Sequence, residues 1–235
     1  DTREMEALSI NAQFGHAFDR WGRHLSNSNS NHIYQEVIAA RYLERNPDLT
    51  VGSASEVISD HGAAAQIFPI TRNPEYQLFT DAGVMTSACG LTCYLGGLFP
   101  ENYQGATFVA ENVHNLVHVD SLSETGPALT ASRMEENREF LASTDSWFRP
   151  VNNFVGPDGA LYVIDYYRDI IEQKKFLSDD VLESGRLNSG NEYGRIYRVV
   201  PEDAGDPSWT SNLNLADASA EELVEHLESP NIWWR

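Results

Sequence analysis

The segment GPDGALYVID at residues 156–165 contains the local pattern that decides the fold. Its first four residues form a turn sequence, with glycine available for a backbone conformation that other residues adopt poorly. The six residues after them are rich in β-branched and aromatic side chains, which favour a short strand. The segment therefore predicts a tight turn that leads directly into a buried β-strand.

The same layout recurs twice more along the chain. It is present in residues 18–25 and, in a looser form, in residues 103–111. Each of the three copies precedes a polar segment and a second stretch typical of a strand. These second strands are predicted at residues 31–34, 114–119 and 193–200. Repeated hairpins of this kind are typical of β-propeller blades, so the sequence predicts an all-β fold containing at least part of a propeller.

Two long insertions separate the copies, at about residues 39–100 and 169–190. Their uneven lengths argue against a regular repeat array, and such insertions usually decorate one face of a fold. Within the second insertion, residues 170–182 lack strand periodicity. Ser178 stands before two aspartates there, which favours a short helix on a surface excursion.

The last part of the chain has a different character. The SAEE segment at residues 219–222 is a capping box, and Leu223, Val224 and Leu227 share one face of the helix that it predicts. We expect this helix to lie outside the propeller. The predicted domains are a propeller portion at residues 1–205 and a linker with the start of a helical region at residues 206–235.

Charge and motif content exclude several classes of function. The 235 residues include 35 acidic and 16 basic ones, for a net charge of −19. Nucleic acid is therefore a poor partner, whereas a basic protein such as a small electron carrier suits the surface; solubility alone is the simpler explanation. No apolar run is long enough to span a membrane. Phosphate loops and the GxSxG elbow are absent, which disfavours nucleotide cofactors and serine hydrolysis.

The two cysteines, Cys89 and Cys93, form neither a CxxC redox pair nor a CxxCH haem site. On a strand their spacing is about 13 Å, which is too long for a disulfide. A tight turn would bring the sulfurs together, so a bridge in an oxidising compartment stays open as an alternative. Two buried thiols are the favoured interpretation.

A series of short motifs occurs in order along the chain. The motifs are SDHG (59–62), IFPI (67–70), SACGLT (87–92), NLVH (115–118), FLASTD (140–145), WFRPVN (147–152) and GPDGALYV (156–163). Together they resemble the propeller of the haem-binding membrane-bound dehydrogenase-like proteins of planctomycetes and verrucomicrobia, which are related to quinone-dependent glucose and sorbosone dehydrogenases. The similarity covers about residues 15–200.

This resemblance implies a six-bladed propeller in a periplasmic or extracellular protein. It implies oxidation of a sugar or related alcohol or aldehyde with the quinone PQQ and calcium, and electron transfer to a cytochrome domain or carrier. The chain has no CxxCH and too few strand units for a closed ring. Haem c and the remaining blades are therefore expected on a missing segment or a partner chain. The C-terminal WWR (233–235) resembles the start of the family's HEAT-like repeats.

The resemblance also implies a histidine base that takes the proton of the substrate hydroxyl. His61 is the candidate for this base, with Asp60 orienting its ring and Gly62 allowing a ligand to approach the backbone. A loop histidine with a structural hydrogen bond is the alternative. For a His114 and His118 zinc pair the spacing requires a helix, whereas the segment predicts a strand, so zinc is disfavoured there.

The expected cofactor site draws on two further segments. Arg149 has a planar fork suited to cofactor carboxylates, although a structural ion pair would explain it equally well. Asp165, at the end of a predicted inner strand, is the candidate calcium ligand. The other residues predicted to bind the cofactor are Asn152, Tyr167, Arg168, Asn115 and His118.

Two other functions remain as alternatives. One is a non-catalytic propeller that binds carbohydrate or protein partners in an extracellular assembly, with tryptophan and tyrosine as stacking platforms. The other is a calcium-dependent hydrolase of the lactonase type. It ranks last because the sequence offers few acidic residues that would converge on one site.

Overall fold

The computed structural model of the chain describes residues 5–72, 74, 80–205 and 215–235. Within these residues, three antiparallel sheets dominate and the helices are short. The predicted all-β class is confirmed. In the described parts of the chain, every helix is too short or too polar to cross a bilayer.

Each sheet is an up-and-down meander in which strands adjacent along the chain also pair in space. The short β9 is the exception, because it pairs with the start of β7. The first sheet contains β1 (His16–Phe18), β2 (His24–Ser26), β3 (Tyr34–Glu36) and β4 (Ser55–Val57). The second contains β5 (Ala88–Cys93), β6 (Thr107–Glu111), β7 (Leu116–Thr125), β8 (Ala128–Arg133) and β9 (Leu141–Ala142). The third contains β10 (Pro150–Val155), β11 (Leu161–Asp165) and β12 (Arg195–Val199).

The three predicted repeats correspond to the second and third strands of the three sheets. The quoted turn joins β10 to β11: the Gly156 amide donates to the Ala160 carbonyl, and Gly159 has a φ of +81°. The pairs β2–β3, β6–β7 and β11–β12 are the predicted hairpins. Sequence reasoning missed the first strand of each sheet as a repeated element.

The sheets pack against one another through these first strands. β5 contacts β1 on one side and β10 on the other. Glycines permit the close approach, because a Cβ atom on Gly15 would overlap the backbone of Cys89 and one on Gly90 would overlap that of Asn152. The Asn153 amide of β10 donates to the Gly90 carbonyl at 3.3 Å. This arrangement is that of consecutive propeller blades, so the predicted partial propeller is confirmed.

Two apolar clusters fill the spaces between the sheets. The cluster between the first and second sheets includes Leu25, Ile33 and Val109, and all three are buried. The cluster between the second and third sheets includes Phe108 and Leu161. The second sheet therefore buries both faces, one against each neighbouring sheet, and its strand β6 is buried along its whole length.

The helices lie outside the sheets. The segment after Ser178 forms a helix as predicted, although the Ser178 side chain makes no capping hydrogen bond. The capping box is confirmed, because the Ser219 hydroxyl accepts from the Glu222 amide while the Glu222 carboxylate accepts from the Ser219 amide. The predicted linker from residue 206 lies partly outside the described residues. The helices are α1 (Ala40–Leu43), α2 (Asp179–Glu183) and α3 (Ala220–His226), with 3₁₀ turns at Glu101–Tyr103, Lys174–Phe176, Arg186–Asn188, Leu215–Asp217 and Ile232–Trp234.

The residues after α3 pack on the second and third sheets. The Asn231 side chain donates to the carbonyls of Gly156 and Pro157, and the Trp234 indole donates to Pro157 at 2.7 Å. The Ile232 amide donates to the Leu95 carbonyl. The C-terminal segment is thereby held against the turn that joins β10 to β11.

The cysteine alternatives are resolved by the geometry of β5. Cys89 and Cys93 are both buried and both free, so the favoured interpretation is confirmed. Burial raises the pKa of Cys89 to about 11 and that of Cys93 to about 12. Both groups therefore remain thiols at neutral pH.

Substitution Gly90→Ala tests the close packing of β5 and β10. We expect it to lower the free energy of unfolding by about 1–3 kcal/mol, because the added methyl group forces the two strands apart. Gly52→Ala is the control, since a Cβ atom at Gly52 meets no atom within 4 Å. Denaturant melts of the two variants measure the difference, and equal stabilities would contradict the packing.

The two cysteines should resist a thiol reagent while the chain is folded. Burial and the raised pKa values keep the reactive thiolate scarce, so we expect modification only after unfolding. Titration with a chromogenic disulfide reagent, with and without denaturant, measures this. Rapid modification of the folded chain, or no thiol after denaturation, would be the contrary result.

Candidate functional site

A cavity of about 1010 Å³ lies at the end of the sheets where β5 and β10 begin. Gly90 and Asn152, near the starts of these strands, line it. Antiparallel strands alternate in direction, so the connections between second and third strands reach this same end. Asn29, Asn112 and Tyr166 come from these three connections and also line the cavity. One end of the propeller thus collects side chains from all three sheets.

The predicted surface excursion forms a further part of the cavity lining. Ile170, Glu172, Gln173 and Phe176 of the second insertion contribute side chains to it. Long connections at one end of a rigid scaffold are common places for binding sites. The insertion therefore shapes the cavity instead of projecting freely from the fold.

The lining combines neutral hydrogen-bonding groups with exposed aromatic rings. Asn152 accepts from the Asn153 amide through its Oδ1 atom, and its Nδ2 group makes no hydrogen bond within the described part of the chain. Phe14 and Tyr166 are 63% and 49% exposed. Amide groups beside open aromatic faces suit a ligand that has both hydroxyl groups and an apolar ring face.

Arg168 lines the cavity, but its guanidinium group donates hydrogen bonds to backbone carbonyls. Its Nη1 atom donates to the carbonyls of Tyr166 and Tyr193 at 3.1 and 2.7 Å, and to that of Gly190. Its Nη2 atom donates to the Asn191 carbonyl. Arg168 therefore fastens the second insertion onto the end of β11, and its guanidinium has little capacity left for a ligand.

Arg149, the predicted cofactor clamp, is buried outside the cavity lining. Its guanidinium donates to four backbone carbonyls, those of Asn112, Val113, Arg168 and Asp169. Burial lowers its pKa. The guanidinium thus joins the connections of the second and third sheets. A role of Arg149 in binding a cofactor stays a prediction.

The predicted calcium ligand, Asp165, is buried. Its Oδ1 atom accepts from the Arg149 and Tyr167 amides at 2.8 Å, while Oδ2 has no hydrogen-bond partner among the described residues. Burial raises its pKa. Calcium takes six to eight oxygen ligands, and in the described residues Asp165 belongs to no group of three or more His, Cys, Asp or Glu side chains arranged around one point. A calcium role for Asp165 stays a prediction.

Two other predicted cofactor residues have local structural partners. The Asn115 amide donates to the Ser146 carbonyl at 3.1 Å, and its Oδ1 atom accepts from Thr71 at 2.8 Å. The Tyr167 ring packs against Trp147. Neither Asn115 nor Tyr167 lines the cavity. Of the six predicted cofactor residues, only Asn152 and Arg168 do so.

His61, the predicted base, also lies away from the cavity lining, in a group that we call the histidine cluster. It consists of His32, His61, His118 and Asp120, whose potential ligand atoms all lie within 4.8 Å of one another. The predicted Asp60 contact exists, because Asp60 Oδ1 lies 2.8 Å from His61 Nδ1. His118 therefore belongs here and not to the cavity.

The fold brings this cluster together from two sheets. His32 lies in the connection between β2 and β3, and His61 follows β4. The segment after β4 pairs with Ala131 of β8, which holds His61 over the second sheet. His118 and Asp120 project from one face of β7, two residues apart, as strand periodicity requires.

The electrostatics of the cluster centre on Asp120. Burial raises the pKa of Asp120, but the charge and hydrogen bond of His118 outweigh it and hold that pKa below its ordinary value. Burial lowers the pKa of His118, and the carboxylates of Asp120 and Glu139 overcome this and raise it to about 9. Burial dominates at His32 and lowers its pKa.

Sequence reasoning missed His32, Asp120 and Glu139. Each is far from His61 along the chain, and a pattern of spacings carries no information about contacts between sheets. The one available signal was that His32 and His118 both lie in predicted second strands of repeated units, which indicates equivalent places in neighbouring sheets. Asn29 and Asn112 were missed for the same reason, because they lie in the polar segments that precede those strands.

Substitution Arg149→Lys tests the structural role of that side chain. Lysine keeps the charge but loses the fork, so we expect the free energy of unfolding to fall by at least about 2 kcal/mol. Arg138→Lys is the control, because Arg138 is exposed and pairs with Glu135 on its own loop. A denaturant melt in which Arg149→Lys matches the wild type would show that the fork is free for a ligand.

Comparison with solved structures finds weak similarity to glucose dehydrogenases. One is a protein of Thermus thermophilus described as a candidate oxidoreductase (glucose dehydrogenase). The alignment covers 86% of this chain and 48% of the Thermus chain, at 15% identity and a TM-score of 0.35. For a second structure, a glucose dehydrogenase, the alignment covers 64% of this chain and 60% of that enzyme's chain, at 16% identity and a TM-score of 0.30. The chain thus spans about half to three fifths of these proteins.

Comparison with curated proteins finds no match. A family model does match, and it covers most of the chain. Its description is "Domain of unknown function (DUF7133)", and it aligns with residues 1–203. These residues include all three sheets and every residue of the cavity lining and the histidine cluster. The chain therefore belongs to the DUF7133 family.

Proposed function

We propose that this chain is the propeller portion of a sugar-type oxidoreductase and that it binds a neutral, sugar-like polyol in the cavity. The observation that carries the proposal is the lining. Asn29 and Asn152 offer amide groups from the first and third sheets, and Phe14 and Tyr166 offer exposed rings. Asn112, from the second sheet, is buried and its side chain is bonded to Ser87 and Cys89. Hydroxyl groups of a sugar pair with amides, and its C–H face packs on aromatic rings.

The charge of the lining also favours a neutral ligand. Among the described lining residues, Arg168 is the only cation and Glu172 the only anion. The Arg168 fork is directed at backbone carbonyls. A polyanion would bring charges into the cavity that no free cation of this lining neutralises, whereas a polyol carries none. The size of the cavity, about 1010 Å³, is sufficient for a sugar.

The quinone PQQ does not fit these residues. It carries several carboxylates, and such groups are usually bound by arginine forks or other free cations. Arg149, the predicted clamp, and Arg168, a further predicted cofactor residue, donate to backbone carbonyls. We therefore derive no oxidation step through a quinone in this cavity. The resemblance to quinone-dependent dehydrogenases supports the oxidoreductase class. We propose that the site of the electron acceptor uses residues other than those of this cavity.

Partner and location belong to the same proposal. A net charge of −19 would attract a basic electron carrier such as a small cytochrome. A periplasmic or extracellular location is what the family resemblance implies. Carbohydrate binding without catalysis is the competing function, and it shares the cavity, so turnover distinguishes the two. Dye reduction by the full-length protein with a bound sugar supports the oxidoreductase, and binding without any turnover supports the competitor.

Substitution Asn152→Ala tests the cavity as the polyol site. We expect the dissociation constant for a bound monosaccharide to rise about fivefold, which corresponds to one lost hydrogen bond of about 1 kcal/mol. Asn46→Ala, an exposed asparagine outside the cavity, is the matched control and should bind like the wild type. Calorimetric titration with a panel of aldoses and ketoses identifies the ligand and measures both variants.

Two outcomes would count against the proposal. One is that the folded chain binds no sugar of the panel at millimolar concentration. The other is that Asn152→Ala and Asn46→Ala bind equally well, which would place the sugar elsewhere. A dye-linked assay with PQQ and calcium is run beside the titration. Quinone-dependent dye reduction by this chain would contradict the conclusion that the cavity residues do not fit PQQ.

A further inference from the structure

The histidine cluster lies apart from the cavity, and the polyol proposal does not use it. Its four side chains converge on the space between the first and second sheets. His32, His118 and Asp120 are buried, and 19% of the His61 side chain is exposed. We propose that these four residues bind one divalent transition metal ion of the zinc type. Nitrogen and carboxylate oxygen donors in this number make up a four-coordinate zinc site.

The geometry is close to that of a bound site. The ring centroids of His32 and His61 are 5.0 Å apart, those of His32 and His118 are 5.1 Å apart, and those of His61 and His118 are 5.4 Å apart. Zinc bonds of about 2.0–2.1 Å in a tetrahedron place the ligand atoms about 3.3 Å from one another. The donor atoms here lie within 4.8 Å of one another. Side-chain rotations that move the donor atoms by about 1 Å therefore close the site without moving the strands.

A second set of carboxylates supports the ligands. Asp60 Oδ1 lies 2.8 Å from His61 Nδ1, and Glu139 Oε2 lies 2.7 Å from His118 Nδ1. Metal-bound histidines typically donate their other ring N–H to a carboxylate, which fixes the tautomer and the ring orientation. Here two of the three histidines have this arrangement, with the opposite nitrogen, Nε2, turned toward Asp120.

Buried nitrogen atoms in the cluster lack hydrogen-bond partners among the described residues. These are His32 Nδ1 and His61 Nε2. His32 is completely buried, so bulk water does not compensate for the missing partner. Three imidazole rings and a carboxylate packed together also bring several proton-binding groups into contact, which is unfavourable in a low-dielectric interior. A bound cation would draw the cluster nitrogen atoms into coordination and match the charge of Asp120 at once.

The donor set determines the class of metal. Imidazole nitrogen suits zinc, copper, iron and nickel, whereas magnesium and calcium prefer sites built from oxygen. With four protein ligands and little solvent access, the ion joins the first sheet to the second and serves stability. To coordinate the ion, His118 Nε2 must give up any proton that it shares with Asp120, while Nδ1–H stays directed at Glu139.

Zinc binding by the folded chain is the test. The chain is stripped with a chelator, titrated with Zn²⁺ alone against a chromogenic competitor, and analysed for metal by mass spectrometry. We expect one Zn²⁺ per chain and a higher melting temperature with zinc than without it. His61→Gln should weaken zinc affinity at least about tenfold. His24→Gln is the matched control, because His24 is also buried beside a carboxylate, Glu36, but lies outside the cluster.

A second variant covers the case in which His61→Gln fails to fold. Asp60 is half-exposed and contacts His61 without belonging to the cluster. Asp60→Asn should therefore fold and weaken zinc affinity about tenfold or more. Stoichiometry well below one in the folded wild type would overturn the proposal. Equal affinity in wild type, Asp60→Asn and His61→Gln would overturn it too, because zinc would then bind elsewhere.

Discussion

The close contact between the first strands of successive sheets is the constraint on which the rest of the structure depends. β5 has β1 on one side and β10 on the other, and the contact is possible because Gly15 and Gly90 carry no side chain. With these backbones in contact, the other strands of each sheet lie beyond the first strand, and the apolar faces between neighbouring sheets are buried. The same contact sets the ends of the strands side by side, and the cavity forms there.

The proposed sites follow from the regular alternation of strand direction. In every sheet the connection between the second and third strands reaches the same end of the fold. Asn112 and Tyr166 enter the cavity from such connections, and His32 enters the histidine cluster from another. Connections are free to vary while the strands beneath them hold their positions, so polar groups from distant parts of the chain meet on a rigid base.

Sequence patterns predicted the parts of this fold that are local. The quoted turn and β11 follow from glycine and β-branched residues within ten positions, and the capping box before α3 spans four. Among the first strands, β1 has only three residues, β5 contains Gly90, and β10 begins with proline and contains two asparagines. Short length and such residues weaken a strand pattern. The partners of Arg149 were missed for a related reason, since they are backbone carbonyls, which no pattern of side chains reveals.

Native-state hydrogen exchange measures the central packing directly, because amides that open together lose protection at the same denaturant concentration. If the first strands form one cooperative unit, the amides of β5 and β10 will share the highest protection and lose it together. The exposed strand β12 will exchange earlier. Exchange of β10 at the rate of β12, while β5 stays protected, would contradict the account by showing that the sheets are not joined through their first strands.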